Sequence, residues 1–335
     1  LVAVLFAGAA RPAEPTPAAA TKYPAMPKAV ASFGAVVCDG YLYVYGGHAG
    51  QTHSYDNQSV LGTFHRLKLA GGSRWEELPA GPIAQGMNLV THAGKVYRVG
   101  GMQPRNAPGD PADNHSLADC ARFDPAKKVW EPLPALPAGR SSHDVAVVGD
   151  KLVVVGGWQM TGKGGKSVWH DTALILDLGT ADPKWEAVPQ PFKRRALTAT
   201  AAGTKVYVLG GLGAEGKATD VFDVATKTWS TAPALPLEGK KAMSFSPAAA
   251  TVGGRVVVST AAGTVYRLTA DGRTWEKVGQ SAPRMVARLL PGDAGTALLV
   301  GGARMGEGNT AAVEVVRLAE TGQPVPPAPP AGAKE

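Results

Sequence analysis

Cysteine is scarce. The 335 residues hold two, Cys38 and Cys120, too few for a bridged scaffold. The sequence has no nucleophile elbow, no Walker loop and no dinucleotide fingerprint. Gly162-Lys163-Gly164-Gly165-Lys166 is rich in the right residues but lacks the strand–helix context of a phosphate loop. No nucleic-acid motif accompanies the formal charge of +7, so DNA or RNA binding is set aside. The histidines His48, His53, His65, His115, His143 and His170 have no cysteine or carboxylate beside them at a recognised ligand spacing, so neither a metal nor another cofactor is expected. The apolar opening Leu1 to Ala10 is too short to span a bilayer, and no transmembrane span is expected.

What the chain has is repetition. Tyr43-Val44-Tyr45-Gly46-Gly47 returns around Gly100-Gly101, Gly156-Gly157, Gly210-Gly211 and Gly301-Gly302, and a degenerate copy ends at Ser259-Thr260. The spacing is about 50 residues, the mark of a repeat architecture. The clearest unit, Arg140 to Gly157, reads as a strand, a tight Gly149-Asp150 turn and a second strand ending in the glycine pair. A third strand, Thr172 to Leu178, and a fourth opened by Trp185 complete it. Trp75, Trp130, Trp229 and Trp275 stand at the same place, where a large ring can pack between neighbouring sheets. Glycine pairs suit backbone that bends or is closely approached.

Glycine pair, strand with an Asp-rich end, then Trp and Leu-Pro: this order resembles the kelch repeat, most closely at Asp220 to Trp229 and Phe123 to Trp130. The resemblance covers about 23–318 and implies an all-β, six-bladed propeller of four-stranded blades around a central channel. It is specific for fold and not for function. The last unit supplies three strands, ending at Leu318. Tyr23-Pro24-Ala25-Met26-Pro27 aligns with Leu133-Pro134-Ala135-Leu136-Pro137, the exit of a fourth strand. An N-terminal strand near Thr21–Met26 is therefore expected to close the ring as the outer strand of blade 6.

The expected organisation is a secretory signal over 1–10, a Pro/Ala-rich linker over 11–20, one propeller over 21–318 and a disordered proline-rich tail over 319–335. The protein is expected to be exported to the periplasm or beyond and to be monomeric. Cys38 and Cys120 fall on opposite faces of a propeller and are expected as separate thiols.

In a blade, the loop after the glycine pair and the start of the first strand share one mouth. Lys28, Gln85, Arg140, Arg195 with Arg194, Lys241 with Lys240, and Arg284 with Arg288 open the first strands. Lys28, Arg140, Arg195, Lys241 and Arg284 read as an electropositive funnel for a carboxylate. They read equally as repeat residues that pair with a neighbouring blade. His48 and Trp158, in the polar and aromatic loops of blades 1 and 3, are further ligand-binding candidates; such loop residues also commonly cap turns. The first function expected is an exported, non-catalytic binding module for an acidic glycan or acidic protein segment. The alternative follows from the resemblance, because exported six-bladed kelch proteins include sialic acid mutarotases. It would make Glu215 and Glu307 the acid/base candidates, with Arg140, Arg195 or Arg284 as clamps. Copper radical oxidases share the propeller, but with seven blades and a Cys–Tyr crosslink that this sequence does not suggest.

Overall fold

The computed structural model describes residues 22–213, 217–237, 244–320, 323 and 325. The expected signal, the linker, most of the tail, Glu215, Lys240 and Lys241 lie outside them. Among the described residues there is no helix, and every strand pairing is antiparallel. Six sheets form the ring. Five have four ordered strands from first to last, as in blade 4: Thr198–Ala202, Lys205–Leu209, Thr219–Asp223 and Thr228–Ala232. First strands pack side by side in sequence, and that of blade 6, Arg288–Pro291, returns to that of blade 1, Gly34–Cys38.

The hairpins follow from their turns. Asp39-Gly40, Ala93-Gly94 and Gly253-Gly254 all have positive φ at both residues, the backbone that matches the strands' own twist. The core lies between blades: six apolar clusters each join one blade to the next, as Val153, Ile175 and Val155 of blade 3 join Val206, Val208 and Phe222 of blade 4. The tryptophans do more than fill these seams. The indole N–H of Trp130, Trp185, Trp229 and Trp275 donates to the carbonyl of Pro79, Pro134, Pro189 and Pro233 of the preceding blade, at 2.9 Å in each case.

Trp75 makes the same bond to Pro24, at 3.3 Å. Pro24 therefore occupies the position of Pro134, as the alignment of Tyr23–Pro27 with Leu133–Pro137 requires. Met26 N donates to Ala311 O at 2.8 Å, as Leu136 N does to Ala118 O at 2.8 Å. Tyr23 and Met26 are buried against Leu298, Val300 and Val313. The N-terminal segment thus closes the ring in the expected register, but it is not a strand. The sixth sheet has three strands among the described residues, Arg288–Pro291, Thr296–Val300 and Val313–Arg317. Pro24 and Pro27 have no N–H to give a ladder, so side-chain burial and single bonds replace it.

The glycine pairs hold the ring at close quarters. The N–H of the second glycine donates to the carbonyl at the start of the next blade: Gly47 to Ala84, Gly101 to Arg140, Gly157 to Arg194, Gly211 to Ser244 and Gly302 to Val30. A Cβ on Gly100 would stand 2.5 Å from the Arg140 carbonyl, so no side chain fits there. Blade 5, with Ser259-Thr260, has the shortest link between second and third strands, residues 260–263. Cys38 and Cys120 are free and buried.

Candidate ligand site at the mouth of the ring

The carbonyls that receive the glycine N–H groups fix which residues are equivalent. Val30, Ala84, Arg140, Arg194 and Ser244 share one repeat position. Arg284 joins them through its side chain: its Nη1 donates to Gly301 O at 3.2 Å, as Arg140 does to Gly156 O at 3.3 Å and Arg194 to Gly210 O at 2.9 Å. These arginines turn back into their own blades. Arg140 also donates to Thr172 O at 2.9 Å; Arg194 is paired with Asp220 and Arg284 with Glu314. Burial pushes the Arg140 guanidinium down to about 10, and the distant Asp171 only partly opposes it. Arg140 and Arg284 are therefore blade staples and do not reach the mouth.

The expected ring of cations is corrected accordingly. Lys28 is exposed, two residues ahead of its repeat position, and is not part of the cavity lining. Glu307 sits 3.4 Å from Arg304 on an exposed hairpin and likewise does not line the cavity. His48 is buried and holds a loop: its Nε2 lies 2.8 Å from Ser54 O and its ring packs edge-on against Tyr55 at 4.9 Å. It positions Tyr55 and does not face the cavity itself. Burial moves its pKa down.

One residue beyond the staple position, side chains point the other way. Gln85, Arg195 and Phe245 stand there and line a cavity of about 320 Å³. Trp158, at the end of the second strand of blade 3, lines it too, as expected. The Arg195 guanidinium lies 4.0 Å from the Trp158 ring centre and 5.4 Å from that of Trp169. The two indoles meet edge to face at 6.1 Å. Arg195 makes no ion pair with a carboxylate among the described residues, and its Nε is buried without a hydrogen-bond partner. Burial lowers its pKa, and Tyr55 nearby works against that.

Two residues beyond the staple position, the backbone turns left-handed in every blade: Ser32, Gly86, Ser142, Ala196, Ser246 and Val286 have φ from 44° to 62°. Each N–H donates to the carbonyl of the residue before it around the axis. Gly86 bonds Ser32 at 2.7 Å, Ser142 bonds Gly86 at 2.6 Å, Ala196 bonds Ser142 at 2.7 Å, and Ser246 bonds Ala196 at 2.8 Å. Val286 to Ser246 at 3.4 Å and Ser32 to Val286 at 3.0 Å complete a closed hoop. Left-handed backbone costs a non-glycine residue free energy and persists where surroundings over-determine it.

Below the hoop, Arg288 crosses the channel. Its Nε donates to Phe33 O at 2.7 Å, its Nη2 to Met87 O at 2.5 Å and its Nη1 to Asp144 at 3.4 Å. Asp144 is fully buried and also accepts from Ala199 N at 2.9 Å. One side chain of blade 6 thereby ties blades 1, 2 and 3, and the cavity has a floor on its axis. His143 lines it from below, and burial, helped by the Arg140 charge, pushes its imidazole down to about 3. The wall is built by loops of blades 1 to 3. Asn106 Nδ2 donates to Tyr55 O at 2.9 Å, and Ser116 N to Met160 O at 2.8 Å. From the sequence, Arg288 was named only beside Arg284 as a blade-opening cation, and the hoop and Asp144 were not singled out. The recurring small residue two places after the arginine, as in Arg140-Ser141-Ser142, was the available signal.

Comparison with known proteins agrees with this architecture. The Kelch motif matches residues 29–60. Kelch-like protein 35 of Mus musculus is 26% identical over 196 residues, 58% of this chain and 29% of that protein. Kelch-like protein terF of Aspergillus terreus is 24% identical over 246 residues, 69% of this chain and 51% of that protein. The chain thus spans at most about half the length of these relatives. A solved structure, that of YjhT, superposes with a TM-score of 0.70 over 90% of this chain and 100% of that one, at 15% identity, and shows the shared fold.

Proposed function

We propose that this chain, a kelch-repeat six-bladed β-propeller, is a binding module that grips a carboxylate-bearing ligand in the cup at its mouth. One observation carries the reading: Arg195 lines the cavity with its guanidinium 4.0 Å from the Trp158 ring centre, and among the described residues no carboxylate pairs with it. A stacked guanidinium is pre-oriented, so little freedom is lost when a carboxylate takes its outer nitrogens. The cavity of about 320 Å³ is at the small end of ligand sites, which begin at about 300 Å³. It admits one compact acidic group: a sugar acid, or an acidic side chain presented by a partner protein. Arg288 contributes positive potential from the floor while its donors stay engaged. Export is part of the proposal and rests on the apolar opening Leu1 to Ala10. A thermal-shift comparison tests the binding reading. Glucuronate or an Asp/Glu peptide should raise the melting temperature where glucose and a Lys peptide do not; equal shifts from charged and neutral probes would count against it.

A second reading has the cup rearrange an acidic sugar. The observation in its favour is His53, an exposed imidazole on the cavity lining. It could exchange protons with a ring hemiacetal while Arg195 holds the carboxylate. Anomer exchange of glucuronate followed by NMR should accelerate with protein and slow in His53→Ala; no acceleration leaves the non-catalytic reading.

A further inference from the structure

Resting on the reading of Arg195 as the carboxylate anchor, we infer that the hoop of small residues is the part of the cup that selects the ligand, and that it selects hydroxyl groups. Three of its six positions are serines, and they alternate: Ser32 on blade 1, Ser142 on blade 3 and Ser246 on blade 5, with Gly86, Ala196 and Val286 between them. The hoop's N–H and C=O groups are consumed by its own hydrogen bonds. The chemistry it offers the cavity is therefore that of its side chains.

All three serines are half-buried on the cavity lining, and no side-chain hydrogen bond holds their hydroxyls among the described residues. Gln85 adds an amide. It is 6% exposed, lines the same cavity and has no side-chain hydrogen bond among the described residues. Neither of its amide atoms is shut off from the cavity, and a ligand that displaces water from them without returning a hydrogen bond loses affinity. Hydroxyls donate and accept, and so does an amide. Such a floor is satisfied by a ligand that does both at several points. An acidic peptide side chain brings a carboxylate and a methylene stem, which answers Arg195 and leaves the floor unmatched. A compact polyhydroxylated acid answers both, with its carboxylate at Arg195, its hydroxyls over the serines and Gln85, and its apolar ring face against Tyr55 and Phe245 of the lining.

Two probes of similar ring size and equal charge separate the floor from the anchor: glucuronate, which carries hydroxyls, and cyclohexanecarboxylate, which carries none. Titration calorimetry on the whole protein should show glucuronate binding at least about tenfold tighter, because a site built for hydroxyls rejects the analogue lacking them. Combining Ser32→Ala, Ser142→Ala and Ser246→Ala should remove most of that preference, the remainder being due to Gln85, and leave cyclohexanecarboxylate affinity within about twofold, the anchor being untouched. Alanine already occupies this left-handed position at Ala196, so the variant should fold. If its melting curve shows otherwise, Ser142→Ala alone and Gln85→Leu alone should each cut the preference severalfold. Equal binding of the two probes to the native protein, or a preference undiminished by loss of the hydroxyls, overturns the inference and leaves the Arg195 reading standing. Binding of neither probe overturns both.

Discussion

Arg194 is fully buried, gives its donors to the Gly210 and Ala218 carbonyls and to Asp220, and helps hold blade 4 together. Arg195, one peptide on, lies over Trp158 at the mouth, and no carboxylate among the described residues pairs with it. The two differ in nothing but register. Alternation along an extended chain sends successive side chains to opposite faces, so the same residue type serves the frame at one position and faces the cup at the next. Arg140 and Arg284 repeat the frame role in blades 3 and 6. Charge counting at blade starts cannot separate the two groups; the partners can.

The largest effects are expected where frame residues are removed. Arg194→Ala removes a fully buried guanidinium together with its bonds to the Gly210 and Ala218 carbonyls and its pairing with Asp220, so the protein should lose about 3–5 kcal/mol of stability in urea. A loss as small as that of a surface substitution would place Arg194 outside the frame. Next is ring closure. Met26 is buried between blades 1 and 6, and Met26→Ala should cost about 2–5 kcal/mol, the usual range for emptying such a site. A near-neutral result would mean that the N-terminal segment does not hold the ring.

A smaller, pH-dependent effect sits at the boundary between frame and cup. The folded state keeps His143 neutral down to about 3, against 6.5 for an unperturbed imidazole. Below 6.5 the unfolded chain therefore takes up a proton that the folded chain refuses. The stability due to this group is complete above 6.5 and is lost as the pH falls toward 3. Melting curves between pH 7 and 4 should fall more steeply for the native protein than for His143→Gln; parallel curves would show that the imidazole titrates normally. The smallest expected stability change is at the mouth. Arg195→Ala removes the contact with Trp158 and none of the ion pairs among the described residues, so the folded state should lose less than about 1 kcal/mol.

Much of the frame was legible in the sequence. Glycine pairs and tryptophans in step gave the blades, and the match of Pro24 to Pro134 gave the closing register, because these residues act through backbone spacing that repeats. That the described residues form no sixth outer strand was not legible: alignment reports position, while Pro24 and Pro27 decide hydrogen bonding. The site was legible in part. Arg195 and Trp158 were among the residues named from the sequence, and both line the cavity. Arg140 and Arg284 were named for the same reason and face inward, since a one-residue offset within an irregular strand start leaves no trace in composition. Arg288 and Asp144 meet across the axis from positions 144 residues apart, a contact that only the closed ring creates.

In the proposed site Arg195 anchors the ligand and Arg194 does not. The most direct test is the affinity of glucuronate for the native protein and for Arg195→Ala, measured by titration calorimetry at low and at physiological salt. The variant should lose about 1.5–3 kcal/mol of binding, the worth of a hydrogen bond to a charged group, with a melting curve lowered by no more than the small stability loss given above and a weaker salt dependence. An Arg195→Ala protein that is folded and binds glucuronate as tightly as the native one would contradict it.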